Sequence, residues 1–184
     1  MIADLQAAAQ GAKRDRAQFR SVLNDLFRAG KPPLHPLTGR YTGSLALLDV
    51  APGLTQLVEA LTSTWLPWLG KTFDPATQTG DNVFTRDSLF LGRLFFPFYR
   101  GLAHVEATTF RAFTFKTYVA PGLFDPDRDV LKIDYDSADN PALTIRRVLD
   151  ELVQIGDGAY LGKAHLKWWW GRWQTVAYFI LEEK

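Results

Sequence analysis

Cysteine is missing from this chain of 184 residues, and histidine is scarce, with three. Without cysteine there are no disulfides, thiolate zinc sites or cysteine nucleophiles, and a cytoplasmic home fits that absence. His35, His104 and His165 stand apart, with no pair at i, i+4 and no His-x-His, so no metal site is expected. Charge of one sign is not in excess either, with 21 basic residues against 20 acidic. A nucleic-acid binder usually carries a basic surplus, so that class of partner is set aside. No run reaches the roughly 18 apolar residues of a membrane-spanning helix. The N-terminal stretch has no continuous apolar core, and Lys13, Arg14 and Arg16 follow its mild segment instead of preceding it, unlike a secretory signal. A G-x-S-x-G elbow and a glycine-rich phosphate loop are both lacking, and no cofactor signature stands out.

Aromatic residues are what the chain has in surplus: 13 Phe, 6 Trp and 6 Tyr, 14% of the whole. That much ring surface requires a large core or an apolar ligand. With 22% charged and 47% hydrophobic residues the chain is globular. Its length suits a single domain over 1–184, with an N-terminal helix over 1–30 and a β-barrel over 39–183.

The last forty residues organise the rest. Asp150–Ile155, Ala159–Trp168 and Trp173–Leu181 read as three antiparallel strands, joined by turns at Gly156-Asp157-Gly158 and around Gly171. Glycine adopts positive φ without a Cβ clash, which makes the first turn a hairpin signal. Such a meander must be covered by further strands or a helix. Upstream, Phe19, Val22, Leu23, Leu26 and Phe27 form one face of a helix ending before Gly30 and Pro32-Pro33. Gly39–Leu48 is a first strand in which Tyr41, Leu45 and Leu47 alternate with polar residues, and Gly43 marks a bend. Leu54–Leu66 has helical spacing, broken by Pro67. Trp68–Phe73 and Val83–Phe84 look like strand ends around a polar loop, 74–82. Ser88–Tyr99 is the most apolar run, and its periodicity fits either a helix capped at Asp87 or Ser88 or a buried strand. His104–Ala120 is one long strand or two sharing a bulge. In Val130–Asp136, Leu131, Ile133 and Tyr135 point inward. About eight strands on short hairpins, with no βαβ rhythm, imply a mainly β fold with some α: an antiparallel sheet strongly curved or closed into a barrel, which removes exposed edges.

Gly39-Arg40-Tyr41-Thr42-Gly43 behind an N-terminal helix, with a C-terminal meander, resembles the calycin barrels: lipocalins, fatty-acid-binding proteins and their bacterial relatives. Lipocalins usually carry Trp where this chain has Tyr41. Trp68 to Asp74, Tyr99-Arg100-Gly101, Tyr135-Asp136 and the run from Arg147 to Leu161-Gly162 look similar to the bacterial GXWXG domain and its companion, a pair of uncertain function thought to be lipocalin-like. What these resemblances imply is a barrel with an interior cavity.

Arg100 and Arg111 flank the most aromatic region and suit an acidic head group, or else cover apolar surface with their stems. His165 shares a strand face with Lys163 and Lys167, facing solvent or a polar lumen. Asp134 and Asp136 precede a turn and read as solvated caps around an inward Tyr135. Trp168-Trp169-Trp170 cannot all face inward on a strand, and the N-terminal helix is expected to cover the remainder. The ligand-binding candidates are Tyr41, Phe95, Tyr99, Arg100, Arg111, Phe113, Phe115, Tyr135, His165 and Tyr178. The first functional reading is binding of a small hydrophobic or lipid-like molecule in the barrel, with Leu54–Leu66 and Ser88–Tyr99 as portal or lid. The second is a barrel cyclase, isomerase or hydrolase acting on a hydrophobic substrate. The third is a structural or oligomerising module meeting its partner through the Trp-rich rim; peripheral membrane contact and a homodimer stay open.

Overall fold

A computed structural model describes residues 16–49, 68–88, 99, 101 and 107–183. Eight strands, β1 (Gly39–Leu48), β2 (Trp68–Asp74), β3 (Thr79–Thr85), β4 (Thr109–Pro121), β5 (Asp129–Asp134), β6 (Val148–Gly156), β7 (Ala159–Lys167) and β8 (Trp173–Glu183), close into one barrel. Each strand is antiparallel to its sequence neighbours, and β8 pairs back onto β1. This is the closed antiparallel barrel that the hairpin-rich sequence calls for. The C-terminal meander stands as expected, and Gly158 takes the positive φ (60°) that its turn needs. The loop expected over 74–82 is tighter, because both strands run further and leave only a four-residue turn, 75–78. Asp74 closes that turn by accepting from the Ala76 N–H (2.9 Å) and the Thr77 hydroxyl (3.0 Å).

Register shifts interrupt five of the strand pairings, and those in β1 and β4 change which side chains face inward from the simple alternation. In β1 the register with β8 shifts between Leu45 and Leu47. Tyr41 therefore points into the core, Leu47 is buried on the outer wall, and Leu45 is left 47% exposed, so the simple alternation expected for these three fails. In β4 the register with β3 shifts between Gly80 and Asn82, which face Phe115 and Ala112. Phe113 and Thr114 together stand opposite the single residue Asp81, one residue in excess, and Phe113 sits at φ 60°, a strained value for a non-glycine residue. The long strand is thus one strand with a bulge, and it delivers Phe110, Ala112, Phe113 and Phe115 to the same interior.

The apolar residues divide into two layers. Inside lie the rings of Tyr41, Phe73, Phe84, Phe115, Tyr135 and Phe179 with their aliphatic neighbours. Outside, helix α1 (Arg16–Ala29) buries Phe19, Leu23 and Phe27, at i, i+4 and i+8, with Leu47, Val130, Val153, Leu161 and Ile180. Val22, expected on the buried face, is 43% exposed. Tyr178 points outward as well, and its hydroxyl donates to Asn24 of α1 (3.0 Å). Burial is the first cause that lifts this phenol to about 12. Tyr178→Phe should lower unfolding free energy by about 1 kcal/mol in a urea titration, the usual worth of one such bond.

Gly162 shows how tightly part of the interior is filled. A Cβ there would lie 2.1 Å from the Phe179 ring, so that ring occupies the space a side chain would need. Gly162→Ala should cost about 1–3 kcal/mol through overpacking, measured by thermal or chemical denaturation.

The short turns, 75–78, 122–128 and 157–158, all lie at one end of the barrel. The longer connections, 49–67, 86–108 and 135–147, all leave from the other, called here the upper end. The expected Leu54–Leu66 helix and most of the Ser88–Tyr99 segment, including the proposed portal, lie outside the described residues. The tryptophan turn, 168–172, is also at the upper end. Trp169 and Trp170 are 69% and 65% exposed, which corrects the expectation that the N-terminal helix covers this cluster. The helix is committed to the outer wall, and the indoles cover one another instead, Trp168 and Trp170 stacking at 5.1 Å.

Candidate functional site

Inside the aromatic barrel sits a buried polar cluster. Lys71 of β2, Asn82 of β3 and Asp150 of β6 occupy inward positions two residues from Phe73, Phe84 and Leu152, and Tyr135 follows β5 in step with Ile133. Strand alternation alone places all four in the lumen. Lys71 is 2% exposed. Its Nζ donates to Asn82 Oδ1 (2.9 Å), to the Tyr135 hydroxyl, and to Asp150 Oδ2 (2.9 Å). The Tyr135 hydroxyl in turn donates to Asp150 Oδ2 (3.0 Å) and accepts from Asn82 Nδ2 (3.1 Å). Trp68 Nε1 donates to Asn82 Oδ1 (3.1 Å), and Asn82 Nδ2 reaches the carbonyl of the strained Phe113 (3.3 Å).

Four rings close around the ammonium: Tyr135, Phe115, Phe179 and Trp68, with centroids 5.1, 5.2, 5.3 and 5.5 Å from Nζ. Their negative faces stabilise a cation. Burial pushes the Lys71 pKa below its ordinary value, against the opposing pull of the Asp150 carboxylate. The Tyr135 phenol is raised well above its usual value by burial and then by Asp150. An amine eased toward neutrality, a phenol that keeps its proton and a carboxylate stand within hydrogen-bond reach of one another. Groups so arranged can hold an oxygen-bearing ligand or move protons around one.

Around the cluster the lumen is divided. Toward the short turns Tyr41 meets Phe73 and Tyr160 edge-on at 5.4 and 5.6 Å, and Phe73 meets Phe115 at 5.4 Å, forming an aromatic floor. Toward the upper end Phe84 stacks on Phe110 (5.4 Å), and Tyr99 stacks on Phe113 (5.0 Å) while its hydroxyl accepts from the Phe113 N–H (2.6 Å). Trp68, Val148 and Ala164 border the same region and are half-buried. Asn140 fixes the upper rim by donating to the Tyr135 carbonyl (2.9 Å) and the Thr114 carbonyl (2.7 Å), tying the phenol to the β4 bulge.

Of the residues singled out by sequence, Tyr41, Phe113, Phe115 and Tyr135 lie in the lumen, and Tyr99 stacks at its upper end. Phe95 and Arg100 lie outside the described residues. Arg111 points to the outer wall, 4.0 Å from Asp81. Tyr178 is under α1. His165 is fully buried yet outside the barrel, neither solvated nor lumenal. There Glu151 accepts from Lys132 and from the Leu123 N–H, the His165 Nε2 stands 3.1 Å from Glu151 Oε2, and Thr175 Oγ1 lies 3.1 Å from His165 Nδ1. Phe124 lies edge-on across the imidazole at 5.3 Å. Lys163 pairs with Asp125 (2.9 Å), which also holds Arg28. These contacts clasp the loop 122–128 to the wall, beside a groove of about 710 Å³ bordered by α1 and β8.

Sequence reading overlooked Lys71, Asn82 and Asp150. The signal was present, since each falls on the inward phase of an alternating strand, where a polar residue is out of place. The fold brings Lys71, Tyr135 and Asp150, from three separate segments, to one point. No family model, curated protein or solved structure matches the chain.

Proposed function

We propose that the barrel binds one small, largely apolar molecule carrying a hydrogen-bonding oxygen, seated against Lys71, Asn82, Tyr135 and Asp150 and entering from the upper end. One observation carries this reading: a lysine–carboxylate pair with a phenol and an amide, buried where aromatic rings line the interior of a closed barrel. Apolar walls with a few convergent polar groups are the usual make-up of a small-molecule site. An ion pair in such a place is a poor source of stability, since apolar side chains of similar volume often do as well or better. The half-buried Trp68, Val148 and Ala164 favour approach from the side of the long connections.

A fluorescent fatty acid tests the reading. It should bind saturably at one site and be displaced by apolar alcohols and ketones. Lys71→Met/Asp150→Leu, which keeps the volume and removes the charges, should bind at least about tenfold more weakly, the loss expected when one charged hydrogen bond goes. Absence of saturable binding to the folded wild-type protein, by both displacement and native mass spectrometry, would dismiss it.

A further inference from the structure

Among the described residues three lysines, Lys71, Lys132 and Lys163, are buried to about the same degree, and one of them is placed for chemistry. Lys132 and Lys163 lie on the outer wall, and the carboxylates they meet are shared with other fixed donors, Glu151 with the Leu123 N–H and Asp125 with the Arg28 guanidinium. Lys71 faces the lumen, and its carboxylate, Asp150, is shared with a phenol. A phenol is a proton donor and acceptor where an arginine or a backbone amide is a donor alone.

We infer that Lys71 condenses with the carbonyl carbon of an apolar aldehyde or ketone bound in the barrel, forming a protonated Schiff base for which Asp150 is the counter-ion. This rests on the binding reading above and names its ligand class. The step balances within the residues present. The Lys71 ammonium passes one proton to Asp150 Oδ2, 2.9 Å away. The free amine adds to the carbonyl carbon; the C–N bond forms, the C=O π bond breaks, and a second nitrogen proton moves to the carbonyl oxygen, giving a carbinolamine. The proton stored on Asp150 returns through the Tyr135 hydroxyl, 3.0 Å away, to that oxygen, which leaves as water. The products are the iminium and the restored carboxylate, so one cation beside one anion becomes one cation beside one anion. The site therefore buries no additional charge during the step, the condition that usually forbids ionic chemistry in an apolar interior. Desolvation in an apolar pocket is a recognised way to activate a lysine nucleophile. The ring faces around Nζ suit an iminium as they suit an ammonium, and flat walls favour an aryl or conjugated carbonyl.

The test uses 6-methoxy-2-naphthaldehyde with sodium cyanoborohydride on the wild-type protein, followed by peptide mass mapping. The matching naphthylmethanol, which cannot condense, is titrated in parallel. The expected result is one reduced adduct on Lys71, formed at least about tenfold faster than on any other lysine. Tyr135→Phe should slow trapping at saturating aldehyde by a larger factor than it weakens alcohol binding, at least about tenfold against a few-fold, a split between rate and affinity that a purely structural tyrosine would not produce. If the alcohol binds and the aldehyde marks only other lysines, or none, the inference is overturned and the binding reading stands. If the alcohol fails to bind and Lys71 is unmarked, both fall. Mapping on the wild-type chain keeps the outcome independent of whether any variant folds.

Discussion

Lys71→Met alone should lower the unfolding free energy by about 3–5 kcal/mol, as expected when one partner of a buried ion pair is removed. The loss arises from what remains. Among the described residues, Asp150 is then left buried with the Tyr135 hydroxyl as its remaining partner, and Asn82 Oδ1 with the Trp68 N–H and a long contact (3.3 Å) to the same hydroxyl. Lys71→Met/Asp150→Leu should recover most of that loss, because both charges are gone and the methylenes still fill the space between Phe115 and Phe179. Urea titrations of the wild type, both single variants and the double variant give the coupling energy directly, and a value of several kcal/mol is expected. If the effects of the two single variants simply add, the pair is not the unit described here.

Glu151→Gln should be nearly as damaging, at about 3 kcal/mol, and its loss should depend on pH. Burial would raise the Glu151 carboxyl, but the His165 ring, the Lys132 ammonium and the Leu123 N–H outweigh it and hold the group at about 2. A carboxyl depressed in the folded state stabilises it fully above its unfolded pKa near 4.5 and ceases to do so as the pH falls through the folded value. A depression of that size corresponds to roughly 3 kcal/mol. The wild type should therefore lose stability steadily between about pH 4.5 and 2, and Glu151→Gln should show a flatter profile over that interval. Denaturation midpoints measured from pH 7 to 2 would reveal it. The loop 122–128 should respond first, since Leu123 is tied to Glu151 and Phe124 lies on His165.

Much of the barrel is legible in the sequence because closure of an antiparallel meander depends on period-two patterning and turn chemistry, both local properties. The bounds of Gly39–Leu48 and of the last three strands fall close to where the β-rich runs and the Asp157-Gly158 turn place them, although the inward phase of Gly39–Leu48 changes at its bulge. Bulges are the exception. Nothing in the run from Phe110 to Phe115 marks Phe113 for positive φ, because that geometry is held by partners distant in sequence: Tyr99 on its N–H and Asn82 on its carbonyl. The outer wall misleads for a similar reason. Lys163 and His165 share a polar face that reads as solvated, yet helix α1 and the loop 122–128 cover it, and that covering depends on Asp125 and Phe124, some forty residues away. The site was half legible. Tyr135 could be placed by alternation, but its partners come from three other strands, and only ring closure brings β2 and β3 across from β6.

The central claim is that the polar cluster in the lumen is where a ligand meets the protein. The most direct measurement is a titration with 6-methoxy-2-naphthylmethanol followed through the 13Cε resonances of the lysines. The account predicts that Lys71 alone shifts, saturating at one equivalent, while Lys132 and Lys163 on the outer wall do not move. A shift confined to the outer-wall lysines, with Lys71 unchanged at saturation, would contradict it.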